Sequence, residues 1–212
     1  GQRRPQASIN YVSAHDGRTL ADVVGYARRH NDANGEHNRD GHAHEVCTNF
    51  GVEGHTDDAA LLARRRRVHR ALLATTLLSQ GTPMLLAGDE AGNSQTGNTN
   101  ADCQDNATGW IDWAGLGTDA DAGALIAQLV ALRASEAYLR WPTWFLPEPG
   151  EDDPTIRWLR PDGKDMRVED WHDAGDGAFA CQLRAAGSSA PRGCIAFNPG
   201  GSDRPFELPD GP

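Results

Sequence analysis

The chain opens with two short apolar runs, and each is followed directly by polar residues. Residues 8–14 (SINYVSA) favour a β-strand, because they combine β-branched and aromatic residues. Residues 84–87 (MLLA) are continuously apolar, as in a parallel strand that is buried on both faces. The sequences HDG at residues 15–17 and GDE at residues 88–90 come at the ends of these runs. Two strands that end in polar turns are therefore predicted.

Three amphipathic stretches predict helices. The first begins after Thr19, whose hydroxyl suits an N-cap, and its apolar residues are Leu20, Val23, Val24 and Tyr26. The second opens at residues 56–58 (TDD), where acidic side chains suit the positive end of a helix dipole, and Gly81 is expected to end it. Its apolar stripe comprises Leu61, Val68 and Leu72, with Leu73 and Leu77 beside it. The third helix is predicted over residues 124–133, with a stripe of Leu125, Leu129 and Leu132.

These elements follow one another as strand, long polar loop, helix, strand, polar loop and helix. This order is typical of an α/β barrel, in which active-site residues gather at the carboxyl ends of parallel strands. The predicted fold class is therefore a barrel fragment, the last two βα units of a (β/α)8 (TIM) barrel. Since closing such a barrel takes eight strands, the others are expected before Gly1.

From Pro142 the pattern changes to short alternating stretches that are separated by Pro and Gly turn signals. Residues 156–160, 179–184 and 194–198 predict antiparallel strands. The chain stops at a turn signal with no strand after it, which indicates truncation. We therefore predict two domains, with residues 1–141 forming the barrel part and residues 142–212 forming the first part of an incomplete antiparallel β-sandwich.

Composition narrows the set of partners. The formal net charge is −10 and the pI is about 5.2, which argues against nucleic acid or an anionic membrane surface as a partner. No apolar run approaches the roughly 20 residues that a spanning helix needs. The four cysteines have spacings that suggest neither a zinc site nor a disulfide framework, so free thiols in a reducing cytoplasm are expected.

Several motifs resemble the α-amylase family of glycoside hydrolases. INYVSAHDG at residues 9–17 resembles the family's fourth signature region, and HNDANGEHNRDG at residues 30–41 resembles the active-site loop of glycogen debranching enzymes and isoamylases. Residues 77–90 are similar to the eighth barrel strand with its lead-in, and residues 97–106 to the loop after it. TIRWLRPDGKDM at residues 155–166 resembles the opening of the C-terminal β-domain. The chain thus resembles the C-terminal part of a bacterial glycogen debranching enzyme of the isoamylase type.

This resemblance implies hydrolysis of α-1,6-glucosidic branch linkages in glycogen or limit dextrins by a retaining mechanism. Asp16 matches the family's third carboxylate, which stabilises the transition state by holding sugar hydroxyls, and His15 would donate to the same sugar. The family's nucleophile and acid/base lie on earlier strands, and no segment here carries their motifs. The chain alone is therefore expected to be inactive. The active-site loop would supply further substrate contacts from Asn34, Glu36, Asn38, Arg39 and Asp40. Neither a cofactor nor a metal is implied.

Three positions depart from the family pattern. Arg18 stands where relatives usually carry a bulky apolar residue, Asp102 stands where an aromatic residue is common, and Ala91 replaces a larger residue after Glu90. All three belong to loops that are expected near the substrate. They therefore leave open which chain length the enzyme prefers.

Other interpretations of single motifs remain open. His42, His44 and Glu45 could chelate a metal, although histidines in a polar loop are more often solvated. Asp89 and Glu90 are adjacent on an extended chain and point to opposite sides, so a structural role is favoured over a catalytic pair. The basic run at residues 64–67 spans most of a helix circumference, which predicts a solvated face. One or two of the six tryptophans could stack on sugar rings.

Three other functions compete with the glycogen debrancher. Another family member is possible, such as an isoamylase acting on amylopectin or a trehalose-forming relative. The β-rich residues after Pro142 could instead form a non-catalytic glycan-binding module. Nucleic-acid binding is the third alternative, which the acidic net charge disfavours.

Overall fold

The computed structural model describes residues 3–113, 120–146, 149–150, 153–173, 177–188 and 191–208. The chain divides into two compact units, Gly1–Leu139 and Arg140–Pro212. Within the described ranges, no helix combines the length and the apolar character that crossing a membrane requires. The turn signal expected at the end of the chain, residues 210–212, lies outside the described residues.

The first unit contains two short parallel strands. Strand β1 (Ile9–Asn10) pairs with β2 (Thr82–Pro83), with Ile9 opposite Thr82. The backbone N–H of Met84 donates to Asn10 O at 2.9 Å, and the two strands separate after that bond. The predicted strand over residues 84–87 is therefore wrong in position, because these residues have no strand partner within the described chain. The side chains of residues 84–87 are half-exposed or exposed, whereas burial on both faces was expected.

The starts of the first two predicted helices are confirmed. The Thr19 side chain accepts from Asp22 N and caps α1 (Leu20–Val23). The Asp58 carboxylate accepts from the N–H groups of Ala60 and Leu61 at 2.9 and 3.2 Å and caps α2 (Ala59–Leu78). The predicted stop is wrong, because α2 ends at Leu78 with Ser79 in an extended conformation. Gly81, with φ of +122°, instead serves the tight turn into β2.

The buried face of α2 includes charged residues that its apolar pattern does not reveal. Leu61, Leu73 and Leu77 are buried as predicted, whereas Val68 and Leu72 are only half-buried. The other buried residues on this helix are Arg65, His69 and Thr76.

Arg65 corrects the prediction that the basic run is wholly solvated. Its guanidinium is buried and donates to the backbone carbonyls of Gly25, Asn49, Val52 and Gly54. These carbonyls belong to loops outside the helix, so the hydrogen bonds of Arg65 attach those loops to α2. The other three arginines of the run are exposed, as expected.

Helix α3 (Ala120–Ser135) is longer than predicted. Leu129 is buried and Leu125 half-buried, whereas Leu132 is exposed, so the predicted stripe holds only in part. Arg133 donates to Leu77 O and Ser79 O at 2.8 Å each, and this contact ties α3 to the end of α2.

The second unit contains a three-stranded antiparallel sheet in the order β3-β4-β5. Its strands are β3 (Thr155–Leu159), β4 (Phe179–Arg184) and β5 (Pro191–Phe197), which confirms the three predicted stretches. On one side of this sheet the rings of Trp158, Trp171 and Phe179 lie within 5.8 Å of one another. Phe197 stacks on Phe179 at 4.8 Å.

Candidate functional site

The polar turn after β1 presents an imidazole and a carboxylate side by side. His15 Nε2 lies 3.6 Å from Asp16 Oδ2, and the two side chains are 78% and 66% exposed. They line a cleft of about 560 Å³, together with residues that include Tyr11, His42 and Met84. A ligand in this cleft would meet one group that accepts hydrogen bonds and one that donates.

A single buried carboxylate holds both ends of the segment that carries this turn. Asp89, which follows β2, accepts hydrogen bonds from the Ser13 hydroxyl and from Leu20 N, the latter at 2.8 Å. Its side chain is 1% exposed, and this burial raises the pKa of its carboxyl group against the effect of the two hydrogen bonds. Glu90 accepts from Gly88 N at 2.9 Å. Both acids therefore make the structural contacts that were favoured over a catalytic pair.

The centre of the turn requires a glycine. Gly17 has a φ of +101°, and its N–H donates to Thr99 O at 3.2 Å. A Cβ at this position would collide with Glu45 Oε1. The HDG sequence therefore owes its glycine both to left-handed backbone geometry and to close approach by a neighbouring loop.

Arg18, one of the departures from the family pattern, is buried in an ion pair. Its side chain is 4% exposed, and its Nε lies 3.0 Å from Glu45 Oε2. The Arg18 backbone N–H donates to Glu45 Oε1 at 3.1 Å. One carboxylate from the loop thus contacts both the main chain and the side chain of the residue that follows the turn.

Asn31, a fully buried residue, joins the loop of residues 30–41 to the loop after β2. Its Nδ2 donates to Asp40 O at 2.9 Å and to Thr99 Oγ1 at 3.0 Å, while its Oδ1 accepts from Thr99 N at 2.9 Å. A Cβ at Gly41 would collide with the same Asn31 and Thr99 side chains. Sequence reasoning missed Asn31, because an asparagine in a polar loop gives no sign that it will be buried.

Asn34 and Asp40, two predicted substrate contacts, lie together in this network. Asn34 Nδ2 donates to Asp40 Oδ2 at 2.7 Å, and its Oδ1 accepts from Asn98 and Gln104, at 2.8 Å in each case. Asp40 Oδ2 also accepts from Asn100 at 2.9 Å. The hydrogen bonds from Asn34 and Asn100 lower the pKa of the Asp40 carboxyl group. The polar atoms of Asn34 are thus engaged by its own loop and by the loop after β2.

The other predicted loop residues lie apart from that pair. Asn38 has a positive φ of 57° and accepts from Asn31 N at 2.9 Å, so its side chain helps to close the loop. Glu36 and Arg39 are exposed, and Arg39 Nε donates to Glu36 O at 3.2 Å. The structure therefore brings Asn34 and Asp40 together and leaves Glu36 and Arg39 on the surface.

Two further acids, which sequence reasoning missed, hold loops of the first unit in place. Asp22 is fully buried and accepts from Ser94 Oγ, Gln95 N and Gly97 N, and burial raises the pKa of its carboxyl group. At Glu53, burial pushes the pKa up, but hydrogen bonds from Ala27 N, His30, Asn49 and Arg28 N outweigh it and lower the pKa to about 2. Glu53 thereby fixes the chain at the start of the loop of residues 30–41.

The metal alternative finds no support in the side-chain arrangement. In the described part of the chain, no three or more His, Cys, Asp or Glu side chains are grouped so that they could hold a metal ion. Glu45 is paired with Arg18, and His42 lines the cleft beside Gly17.

Curated relatives of this chain include two with the name that its motifs suggested. A protein named "Glycogen operon protein GlgX homolog" from Mycobacterium tuberculosis is 45% identical over 192 residues, which cover 89% of this chain and 27% of that protein. "Glycogen debranching enzyme" from Escherichia fergusonii is 50% identical over 173 residues, covering 80% and 25% of the two chains. The enzyme of the same name from Dickeya chrysanthemi is 42% identical over 214 residues, covering 100% and 30%. No family model matches the chain.

A solved structure supports the same relationship at the level of fold. A pullulanase from Anoxybacillus sp. LM18-11, crystallised with maltotetraose, superposes with a TM-score of 0.50 over 85% of this chain and 22% of that chain, at 19% identity. At this identity the match shows the fold alone.

The structural match indicates a shared fold, and the sequence matches indicate a narrower relationship. The described residues share their fold with part of a pullulanase. The identities of 42–50% confirm the resemblance to the bacterial glycogen debranching enzymes, and the chain is homologous to part of them. The chain spans between 25% and 30% of the length of these relatives.

Proposed function

We propose that this chain is the C-terminal part of a cytoplasmic glycogen debranching enzyme that hydrolyses α-1,6 branch linkages in glycogen or limit dextrins. Residues 1–141 would form the last two βα units of its (β/α)8 barrel, and residues 142–212 the first part of its C-terminal β-domain. The observation that carries the proposal is the exposed His15-Asp16 pair in the cleft, within a chain homologous to debranching enzymes.

The chemistry of the pair suits a sugar whose bond to its neighbour is being cleaved. The Asp16 carboxylate would accept hydrogen bonds from vicinal hydroxyls, and His15 would donate to the same ring. In retaining glycosidases such bonds strengthen as the oxocarbenium-like transition state forms, and they contribute several kcal/mol to catalysis. The nucleophile and the acid/base would come from the part of the relatives that this chain does not match.

The loop residues would divide into two roles. Asn34 and Asp40 would act mainly by holding the loop, since their side chains bond to each other and to the loop after β2. Glu36 and Arg39 are exposed and available for contacts with outer sugars, and Asn38 would shape the backbone between them. No cofactor or metal enters this scheme.

The chain alone should show no debranching, whereas the full-length protein that contains it should debranch. Glycogen limit dextrin and amylopectin are incubated with each, and new reducing ends are counted. A clear preference of the full-length protein for the limit dextrin supports the debrancher, whereas a preference for amylopectin supports the isoamylase alternative. Turnover by the isolated chain would contradict the claim that both covalent-step carboxylates lie outside it.

A second candidate function rests on the β-sheet unit. Trp171 is 49% exposed and borders a cavity of about 450 Å³, which polar residues including Arg160 and Asp170 also line. Indole faces stack on sugar rings, so this cavity could bind glucan without chemistry. Titrating glycogen against the full-length protein and its Trp171→Ala variant tests this role. If both proteins bind glycogen with the same affinity, Trp171 has no role in glucan binding.

A further inference from the structure

The Arg18–Glu45 ion pair joins two segments that are 27 residues apart and meet beside the candidate catalytic turn. Both residues line the cleft that contains His15 and Asp16. Arg18 is the first residue after the HDG sequence, and Glu45 lies just beyond the active-site loop. Arg18 is thus bonded directly to the last residue of the turn, and Glu45 belongs to a separate loop.

Burial of Arg18 makes it costly to remove one partner of this pair alone. The Arg18 side chain is 4% exposed and the Glu45 side chain 22% exposed. A buried charge without its partner is strongly destabilising, so neither residue can leave the contact without disturbing its surroundings. Exposed ion pairs in this chain, such as Arg157–Asp165 with 49% and 66% exposure, have no such constraint.

The contacts of Glu45 fall on the backbone of the turn as well as on a side chain. Its Oε1 accepts from Arg18 N and occupies the space where a Cβ of Gly17 would lie. Asp89 holds the segment at Ser13 and Leu20, outside the turn. Glu45 therefore acts on the centre of a segment whose ends are fixed elsewhere.

We propose that the Arg18–Glu45 pair positions His15 and Asp16 for the sugar, in place of the apolar packing expected at residue 18. This inference rests on the proposed function. Without the pair, the Gly17 N–Thr99 O bond of 3.2 Å would be left to fix the centre of the turn. The turn would then shift, and a displacement of about 1 Å at reacting groups can cost about a hundredfold in rate.

A double-mutant cycle in the full-length protein tests the inference. The variants are Arg18→Leu, Glu45→Leu and the double variant, and Arg157→Leu is the matched control from an exposed ion pair. We expect each single variant to lower kcat at least about tenfold while KM changes less than about threefold. The double variant removes both buried charges together, so its kcat should exceed the product of the single effects by about tenfold or more. Arg157→Leu should keep the kcat of the unmutated protein.

Unchanged kcat in both single variants, or effects that simply multiply in the double variant, would overturn the inference. A loss of thermal stability with unchanged kcat would do the same, since a merely structural pair predicts that result. If a leucine variant does not fold, the uncharged substitutions Arg18→Met and Glu45→Gln replace it in the cycle with the same expected signs.

A crystal structure of the Arg18→Leu protein separates this inference from the proposed function. We expect the Asp16 Cα to move by about 1 Å or more, whatever the enzyme's substrate. An inactive unmutated protein would refute the debranching proposal, and the displacement would still decide whether the pair positions the turn. An unmoved turn would overturn the positioning role.

Discussion

The turn at residues 15–17 and the loop at residues 30–41 are both polar, but the structure holds them in opposite ways. At the turn, neighbouring segments hold the backbone through Thr99 O at Gly17 and Glu45 Oε1 at Arg18, and the His15 and Asp16 side chains stay largely exposed. In the loop, Asn34 and Asp40 are themselves bonded into the scaffold. A predicted site residue whose polar atoms are already engaged within the protein is therefore better understood as scaffold than as a substrate contact.

The substitution Asp16→Asn in the full-length protein is the strongest test of the difference between the turn and the loop. We expect kcat to fall by about a hundredfold or more, which is typical when one preorganised stabilising group is lost. The melting temperature should hardly change, because the Asp16 side chain is 66% exposed. Asp57→Asn is the matched control, since Asp57 also lies beside a histidine, with His55 Nε2 at 3.8 Å and its own side chain 99% exposed. A normal kcat in Asp16→Asn would remove Asp16 from the mechanism.

In contrast to Asp16→Asn, the substitution Asp89→Ala should act mainly on stability and less on kcat. The substitution leaves the Ser13 hydroxyl and Leu20 N without their shared acceptor, which costs about 2–3 kcal/mol of unfolding free energy for buried polar groups. The kcat should fall as well, because the turn between these two residues loosens. Chemical denaturation and steady-state kinetics measure the two effects. Unchanged stability would show that Asp89 does not hold the segment.

Glu53 allows a pH test of how the loop of residues 30–41 is held. The pKa of its carboxyl group is about 2 in the folded protein, below its ordinary value of 4.5, so its stabilising effect is complete above about pH 4.5 and is lost as the pH falls towards 2. At pH 7 we expect Glu53→Gln to reduce stability on the order of 2 kcal/mol. The gap between the two proteins should close as the pH is lowered through that window. A gap that stays constant with pH would contradict the assignment.

Asn34→Ala and Glu36→Ala provide the finest comparison, because they come from the same loop. Asn34→Ala breaks hydrogen bonds to the loop after β2, so we expect a loss of about 1–2 kcal/mol and faster amide exchange at residues 97–100. Glu36 is exposed, and its alanine variant should change stability by less than about 0.5 kcal/mol while raising KM for branched glucan. Equal effects of the two substitutions would argue against dividing the loop into scaffold and contact residues.

Local patterns in the sequence determined much of the secondary structure. The capping side chains of Thr19 and Asp58 and the strand-forming stretch of β4 act within a few residues, so the sequence alone predicts them. The HDG motif with its neighbouring signatures likewise predicted the resemblance to glycogen debranching enzymes, which the identities of 42–50% confirm.

Contacts between distant segments decided the rest. The place of β2 depends on where β1 offers a partner, and the burial of Arg65 depends on carbonyls that two loops bring to α2. Asp89 reaches Leu20 across 69 residues, and Asn31 reaches Thr99 across 68. A polar residue can be satisfied by water or by a distant segment of the chain, and only the tertiary structure shows which of the two applies.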